Sequence, residues 1–155
     1  MLSTHHFSEV GGHAVNEDAF ALKQHPLDPE LWICIVADGQ GGQAGGGRAA
    51  AVACQTALTR SIALTPKDLS QPHTWSGIVA AADEAVRADP EAGYTTLVAL
   101  AASPGSLAGA SSGDSAALLM IDGRTVELTA RQHKNPPVGS GAATAIPFHL
   151  GLKAP

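Results

Sequence analysis

The sequence predicts an α+β fold in which helices pack against antiparallel sheet. Three observations predict this class: two strand-like segments come first, two helical segments follow, and four short strand-like segments come last. Strands and helices that alternated one by one would instead indicate βαβ units and a parallel sheet. The 155 residues are 45% hydrophobic and 15% charged, which is typical of one globular domain with a buried core.

The first half of the chain contains two predicted strands and two predicted helices. Residues 16–22 (NEDAFAL) alternate between polar and apolar side chains, and residues 31–37 (LWICIVA) form the continuous apolar run of a buried strand. The alanine-rich residues 44–64 predict the first helix, which begins after a glycine-rich segment. Residues 74–88 predict the second helix, because their apolar residues fall on one helical face.

The second half changes to the pattern of short strands. Four apolar segments are predicted strands: 94–102, 106–112, 115–121 and 125–130. Asp122-Gly123 separates the last two and predicts a tight hairpin turn. Residues 131–155 are rich in proline and glycine and predict a long loop.

Charge, hydropathy and cysteine usage limit the possible partners and location. Nine basic residues against fourteen acidic ones give a net charge of −5, which argues against nucleic acid or an anionic membrane as the main partner. The chain has no apolar run long enough for a membrane span and no signal-peptide pattern at its start, so we expect a cytoplasmic protein. Cys34 and Cys54 are expected to be small buried side chains rather than a disulfide or a metal pair. The oligomeric state is not predicted.

The glycine-rich segment after the second predicted strand allows two interpretations. Gly39, Gly41 and Ala44 satisfy the G-x-G-x-x-A pattern of a dinucleotide-binding turn. Against this interpretation, no Asp or Glu stands about twenty residues later, and no compact βαβ unit follows. A Walker loop is excluded because the chain has no Gly-Lys-Ser or Gly-Lys-Thr. The second interpretation places the chemistry on Asp38, at the end of the strand.

Three acidic positions adjoin predicted strands and together favour a shared cation site. Asp38 ends one strand, Glu17 and Asp18 begin its neighbour, and Asp114 lies between two later strands. Carboxylate and carbonyl oxygens are the ligands that Mg²⁺ and Mn²⁺ prefer. Any one of these acidic residues taken alone could be a solvated turn residue, and for a lone Asp-Gly that interpretation is the better one.

Four motifs in this order resemble the metal-dependent serine/threonine protein phosphatases of the PPM (protein phosphatase 2C) type, in a bacterial form. They are NEDAF at 16–20, VADGQGG at 36–42, GYTTLVAL at 93–100 and SGDSAALLM at 112–120. The resemblance implies a four-layer αββα sandwich of two antiparallel sheets flanked by helices, incomplete here at the C-terminus. It also implies hydrolysis of phosphoserine or phosphothreonine on a protein substrate, by a binuclear Mn²⁺ or Mg²⁺ centre that activates a bridging water.

The resemblance also implies roles for single residues. Asp38 corresponds to the carboxylate that bridges the two metal ions, and Gly39 to the carbonyl ligand of the second ion. Glu17 and Asp18 correspond to an acidic pair that holds metal-bound waters. Asp114 corresponds to a ligand of a third, more weakly held ion.

The chain also departs from the family pattern. His13 stands where the family usually has an arginine that pairs with the substrate phosphate, so His13 is the candidate phosphate-binding residue, without the bidentate geometry of arginine. The alternative is an ordinary surface histidine near a strand. Gln40 stands at a position of His or Met and cannot act as a general acid. Thr95 and Thr96 match a pair that packs behind the site.

Two further metal-binding aspartates of the family, in a DG and a DN motif, have no counterpart in the chain. We therefore expect residues 1–155 to be a single domain that corresponds to the N-terminal two thirds of the phosphatase domain. The alternative is a catalytically inactive pseudophosphatase or interaction module with the same fold.

Overall fold

A computed structural model describes residues 2–12, 14–40 and 44–152. Its elements are β1 (Asp18–His25), β2 (Asp28–Asp38), α1 (Gly46–Ile62), α2 (Pro66–Leu69), α3 (Pro72–Ala88), β3 (Leu97–Ser103), β4 (Ser106–Ser112), β5 (Leu118–Ile121), β6 (Arg124–Glu127) and β7 (Ile146–Gly151). All pairings between these strands are antiparallel, in a five-stranded sheet of order β1-β2-β3-β4-β7 and a hairpin of β5 and β6. The predicted α+β fold with two antiparallel sheets is confirmed.

Most predicted elements lie within a few residues of the observed ones. The hairpin turn at Asp122-Gly123 is also confirmed, since both residues have positive φ angles of 50° and 73°. Because β2 and β3 are antiparallel, the chain has no βαβ unit between them, which removes the support for a dinucleotide-binding turn.

The prediction of a loop throughout residues 131–155 is wrong for β7. Residues Ile146–Gly151 alternate between partly buried and exposed positions and pair with β4. A proline normally argues against a strand because it has no N–H to donate. Here Pro147 is tolerated because β7 is an edge strand, so one side of its backbone needs no partner strand.

Helices α1 and α3 pack against one face of the five-stranded sheet and form the core with it. Ile33 and Ile35 of β2 point toward the helices and are no more than 1% exposed. The sheet-facing side of α1 consists of small residues that allow a close approach: Ala49, Ala50, Ala53 and Ala57. The buried indole of Trp75 donates a hydrogen bond to the carbonyl of Leu69 at 2.9 Å, which ties α2 to α3. In the part of the chain that the structure describes, no helix has the length and apolar character needed to cross a membrane.

The opposite face of the sheet is apolar as well, and it is less covered. Phe20 and Val36 are register partners on this face and are 42% and 49% exposed. Residues 3–9 lie beside them and line, with β1 and β2, an open groove of about 710 Å³. In hairpin β5–β6, Leu118 and Met120 are 63% and 78% exposed. Exposed apolar area of this extent is typical of a surface that packs against further protein.

Both cysteines are expected to resist alkylation in the folded protein. Cys34 and Cys54 are free thiols, and burial raises their pKa values to about 11 and about 12. Because the thiolate is the nucleophile, at pH 8 the native protein should react with iodoacetamide more slowly than a model thiol, by about a hundredfold at Cys34 and about a thousandfold at Cys54. Mass spectrometry of the alkylated protein measures this. Both cysteines should react readily once roughly 8 M urea unfolds the protein. Rapid labelling of the native protein would contradict the buried placement of Cys54 and the half-buried placement of Cys34.

Candidate metal centre

Asp18 of β1 and Asp38 of β2 lie directly opposite each other in the antiparallel sheet. Asp18 and Asp38 are register partners, as are Phe20 and Val36 two residues further along. Directly opposed residues of antiparallel strands project from the same face of a sheet. Two like charges in this arrangement destabilise the sheet. Asp18 and Asp38 are both exposed. The sheet therefore carries two acidic residues opposite each other at one end, and their carboxylate oxygens are of the type that hard cations prefer.

The backbone of Asp38 is held by two threonines that precede β3. Asp38 N–H donates to Thr96 Oγ1 at 2.9 Å, and Thr96 N–H donates back to the Asp38 carbonyl at 2.9 Å. The Thr95 hydroxyl donates to the same carbonyl at 2.9 Å. A hydrogen bond of 2.6 Å joins the hydroxyls of Thr96 and Ser115. Thr95 and Thr96 therefore pack behind Asp38, as the family resemblance implies.

The glycines after Asp38 allow a close approach of backbone to backbone. A Cβ atom on Gly39 would lie 2.4 Å from the carbonyl carbon and oxygen of Gly46, at the start of α1. Gly45 has a φ angle of +89°, and a Cβ there would lie 2.4 Å from the Glu91 carbonyl oxygen. Only glycine fits these positions, which explains the glycine-rich segment without a nucleotide. The remaining glycines of the VADGQGG motif, at 41 and 42, lie outside the described residues.

Glu17 lies at the N-terminus of α1 rather than in an open position. Its carboxylate oxygen Oε1 accepts the N–H of Gly47 at 3.3 Å, and the Glu17 carbonyl accepts the N–H of Gly39 at 3.2 Å. The partial positive charge of the helix N-terminus stabilises a carboxylate there. Glu17 thus links β1, the end of β2 and the first turn of α1.

Asp38 and Gly39 separate two small clefts. The first, of about 340 Å³, is lined by Asp38, Gly39, Gln40, Thr95, Thr96, Gly113, Asp114, Lys134, Asn135 and Pro137. The second, of about 290 Å³, is lined by Glu9, Val10, Gly11, Val15, Asn16, Glu17, Asp18, Asp38 and Gly39. The structure thus brings five of the six predicted site residues to one end of the sheet. The sixth, His13, lies outside the described residues, and its predicted phosphate contact stays a prediction.

Lys134 is a residue of the first cleft that sequence reasoning missed. Its ammonium nitrogen lies 2.8 Å from Oδ2 of Asp114. This hydrogen bond and the charge of Asp114, with a smaller contribution from the charge of Asp38, raise the pKa of Lys134 above its usual value. The signal was absent from the sequence because Lys134 lies in a segment predicted to be a long loop, twenty residues along the chain from Asp114.

Replacing Lys134 with glutamine should raise the affinity of the first cleft for divalent cations. The substitution removes the positive charge beside Asp114, so a metal ion no longer competes with an ammonium group. Because the pair is largely exposed, we expect only about a two- to fivefold gain. Titration with Mn²⁺, followed by the electron paramagnetic resonance signal of the free ion, measures it. Lys23→Gln, which removes an exposed lysine of β1, is the matched control; an equal gain in both variants would show that only net charge matters.

The oxygen chemistry of the site suits a hard divalent cation, although the ligand set is partial. Asp18, Asp38 and Asp114 offer carboxylate oxygens, and Gly39 adds a backbone carbonyl beside them. Among residues 2–12, 14–40 and 44–152, no group of three Asp, Glu, His or Cys side chains is arranged to hold a metal ion. The described residues therefore fit the donor type that Mn²⁺ or Mg²⁺ prefers, and by themselves do not form a complete binuclear centre.

Comparison with solved structures identifies bacterial phosphatases with the same fold. The serine/threonine phosphatase Stp1 from Staphylococcus aureus superposes with a TM-score of 0.78 and 17% identity, over 96% of this chain and 70% of that chain. The catalytic domain of the phosphatase PstP, solved with 2 manganese ions, gives 0.73 and 20%, over 92% and 68%. PppA, a regulatory component of the type VI secretion system in Pseudomonas aeruginosa, gives 0.67 and 23%, over 95% and 70%.

The comparison with protein families extends this result from fold to family. The model of the protein phosphatase 2C family matches residues 8–137, which is most of the chain. No curated protein sequence matches it significantly. The family match confirms the resemblance that the four motifs indicated, and with it the class of protein serine/threonine phosphatase. The chain belongs to the protein phosphatase 2C family.

Proposed function

We propose that this protein takes part in the metal-dependent hydrolysis of phosphoserine and phosphothreonine on cytoplasmic proteins. The observation that carries the proposal is the register pair of Asp18 and Asp38, with Asp114 lining the cleft beside it. A phosphate monoester is a dianion, and these carboxylates would repel it in the absence of cations. An acidic site can therefore serve a phosphorylated substrate only when cations neutralise it.

The proposed cofactor is a pair of Mn²⁺ or Mg²⁺ ions, with a third ion possible at Asp114. Asp38 and the carbonyl of Gly39 would hold the pair, while Glu17 and Asp18 would position water near it. When bound, two such ions lower the pKa of water and neutralise charge on the phosphoryl group.

The chain's own residues would hold this arrangement rigid and limit how the leaving group is protonated. The hydrogen bonds of Thr95 and Thr96 to Asp38 keep its backbone in one position. Gln40 N–H donates to the carbonyl of Tyr94 at 2.9 Å, so this residue is also held at the cleft. Its side-chain amide has no proton to give at neutral pH, so the leaving group would take its proton from water.

The test is phosphate release from p-nitrophenyl phosphate and from a phosphothreonine peptide, with Mn²⁺ and with a chelator. We expect release that requires Mn²⁺ and that Asp38→Asn lowers by on the order of a hundredfold or more. Asp122→Asn is the matched control, because Asp122 lies in the β5–β6 turn and asparagine tolerates its positive φ angle. If neither substrate is hydrolysed at any Mn²⁺ concentration, the proposal fails, and a non-catalytic member of the family is the better description.

A further inference from the structure

Asp83 of α3 is the one buried carboxylate among the described residues, at 6% exposed. It lies away from both clefts and no part of the proposed chemistry uses it. Its Oδ1 accepts the backbone N–H groups of Gly139 at 2.7 Å and Gly141 at 3.1 Å, and its Oδ2 accepts that of Ala143 at 3.1 Å. A buried charge is costly unless hydrogen bonds compensate it, and three N–H donors do so here.

Residues 138–143, which we call the clamped loop, take a conformation that suits these hydrogen bonds. Gly139 and Gly141 have φ angles of +105° and +75°, so glycine is needed to turn their N–H groups toward one carboxylate. The loop is also tightly packed, since a Cβ atom on Gly139 would lie 2.7 Å from Cγ1 of Val86 and 2.8 Å from the Gly93 carbonyl oxygen. Three hydrogen bonds to Asp83 and this packing therefore tie the loop to α3.

The clamped loop is in turn bonded to the strand segment that holds Asp38. Val138, which is fully buried, donates its N–H to the Thr95 carbonyl at 3.0 Å and accepts the Thr95 N–H at 3.0 Å. The Thr95 hydroxyl then donates to the carbonyl of Asp38 at 2.9 Å. A path thus runs from Asp83 to Asp38 through hydrogen bonds to Gly139 and Thr95 and through the peptide bond that joins Gly139 to Val138.

We propose that Asp83 is a positioning residue for the Asp38 site: it orders the clamped loop, and the loop holds Thr95 against the backbone of Asp38. The path is one of several supports, because Thr96 also bonds to Asp38. Loss of Asp83 should therefore loosen the site without removing it. The consequence for catalysis depends on the proposed function, whereas the coupling between the loop and Asp38 does not.

Asp83→Asn tests the coupling, because it keeps the size of the side chain and removes its charge and one acceptor oxygen. Amide hydrogen exchange, followed by nuclear magnetic resonance, should accelerate by about tenfold or more at Gly139, Gly141 and Ala143. The decisive amides are those of Thr95 and Asp38, which lie outside the clamped loop and which Asp83 does not touch. We expect their exchange to accelerate as well, by about threefold or more, since they lose only indirect support.

Ile78→Val is the matched control for general loss of stability. Ile78 is 3% exposed on the same helix and makes no part of the path. At equal global stability, set with denaturant, exchange at Thr95 and Asp38 should be faster in Asp83→Asn than in the control. Equal rates in the two variants, or acceleration confined to the clamped loop, would overturn the proposal.

A second variant keeps the test informative if Asp83→Asn does not fold. Gly141→Ala disturbs the loop from its other end, because a Cβ there meets only the flexible side chain of Arg87 and strains a positive φ angle. The proposal requires the same acceleration of exchange at Thr95 and Asp38, and unchanged exchange there would overturn the proposal.

Phosphatase assays of the same variants are a separate test. An inactive wild type refutes the proposed function, while the exchange data alone decide the role of Asp83.

Discussion

Replacing Gly39 with alanine should destabilise the protein by roughly 3 kcal/mol and disrupt the site at the same time. The added Cβ would lie 2.4 Å from the backbone carbon and oxygen of Gly46 and 2.6 Å from the Glu17 carbonyl oxygen. Backbone atoms cannot rotate away as a flexible side chain can, so either α1 or β1 must move. Movement of either element separates Glu17 from the helix N-terminus or alters the end of β2 that carries Asp38. Urea unfolding followed by circular dichroism measures the loss.

Gly77→Ala is the matched control and is expected to have the opposite sign. Gly77 lies inside α3, and a Cβ there meets nothing within 4 Å. Alanine should therefore stabilise the helix by about 0.5 to 1 kcal/mol, since it loses less backbone entropy on folding than glycine. If both substitutions changed stability by similar small amounts, the close approach of β2 to α1 would be contradicted.

The local sequence pattern was sufficient to predict the strand and the helix on either side of Asp38. It was insufficient to predict contacts between residues that are far apart in the sequence. The apolar run before Asp38 and the alanine-rich segment after it each report on neighbours within a few residues, and both elements form where the pattern predicts. Lys134 and Asp83 act on residues far from them along the chain, and no periodicity reports such a pairing. The edge position of β7, which makes Pro147 acceptable, is likewise a property of the whole sheet.

The family could be predicted from the sequence, whereas the geometry of the site could not. The motif order was sufficient to predict the family, because four short segments at the right spacing are unlikely to coincide by chance, and the family match confirms it. The roles of single residues remain predictions. Geometry adds something that the motifs do not contain, namely that the acidic residue after Glu17 is paired in register with Asp38.

Asp18→Asn should stabilise the metal-free protein and weaken its cation binding, two effects of opposite sign from one substitution. Asp18 and Asp38 face each other across the β1–β2 pairing, so removing one charge relieves roughly 0.2 to 1 kcal/mol of repulsion. If the same charge helps to hold water around bound ions, the affinity for Mn²⁺ should fall by about 10- to 100-fold. Urea unfolding in a chelator measures the first effect, and calorimetric titration with Mn²⁺ measures the second.

The stability of Asp18→Asn measured in salt shows whether its gain comes from lost charge repulsion or from packing of the asparagine amide. Both carboxylates are exposed, so at about 1 M NaCl, where the screening length is about 3 Å, the stability gain should shrink toward zero. Asp122→Asn, which removes an equal charge in the β5–β6 turn, should change neither stability nor Mn²⁺ affinity by a comparable amount. A gain that persists in salt would assign the effect to packing, and unchanged Mn²⁺ affinity in Asp18→Asn would remove Asp18 from the proposed centre. The two measurements together decide whether Asp18 and Asp38 form a cation site or only lower the stability of the folded protein.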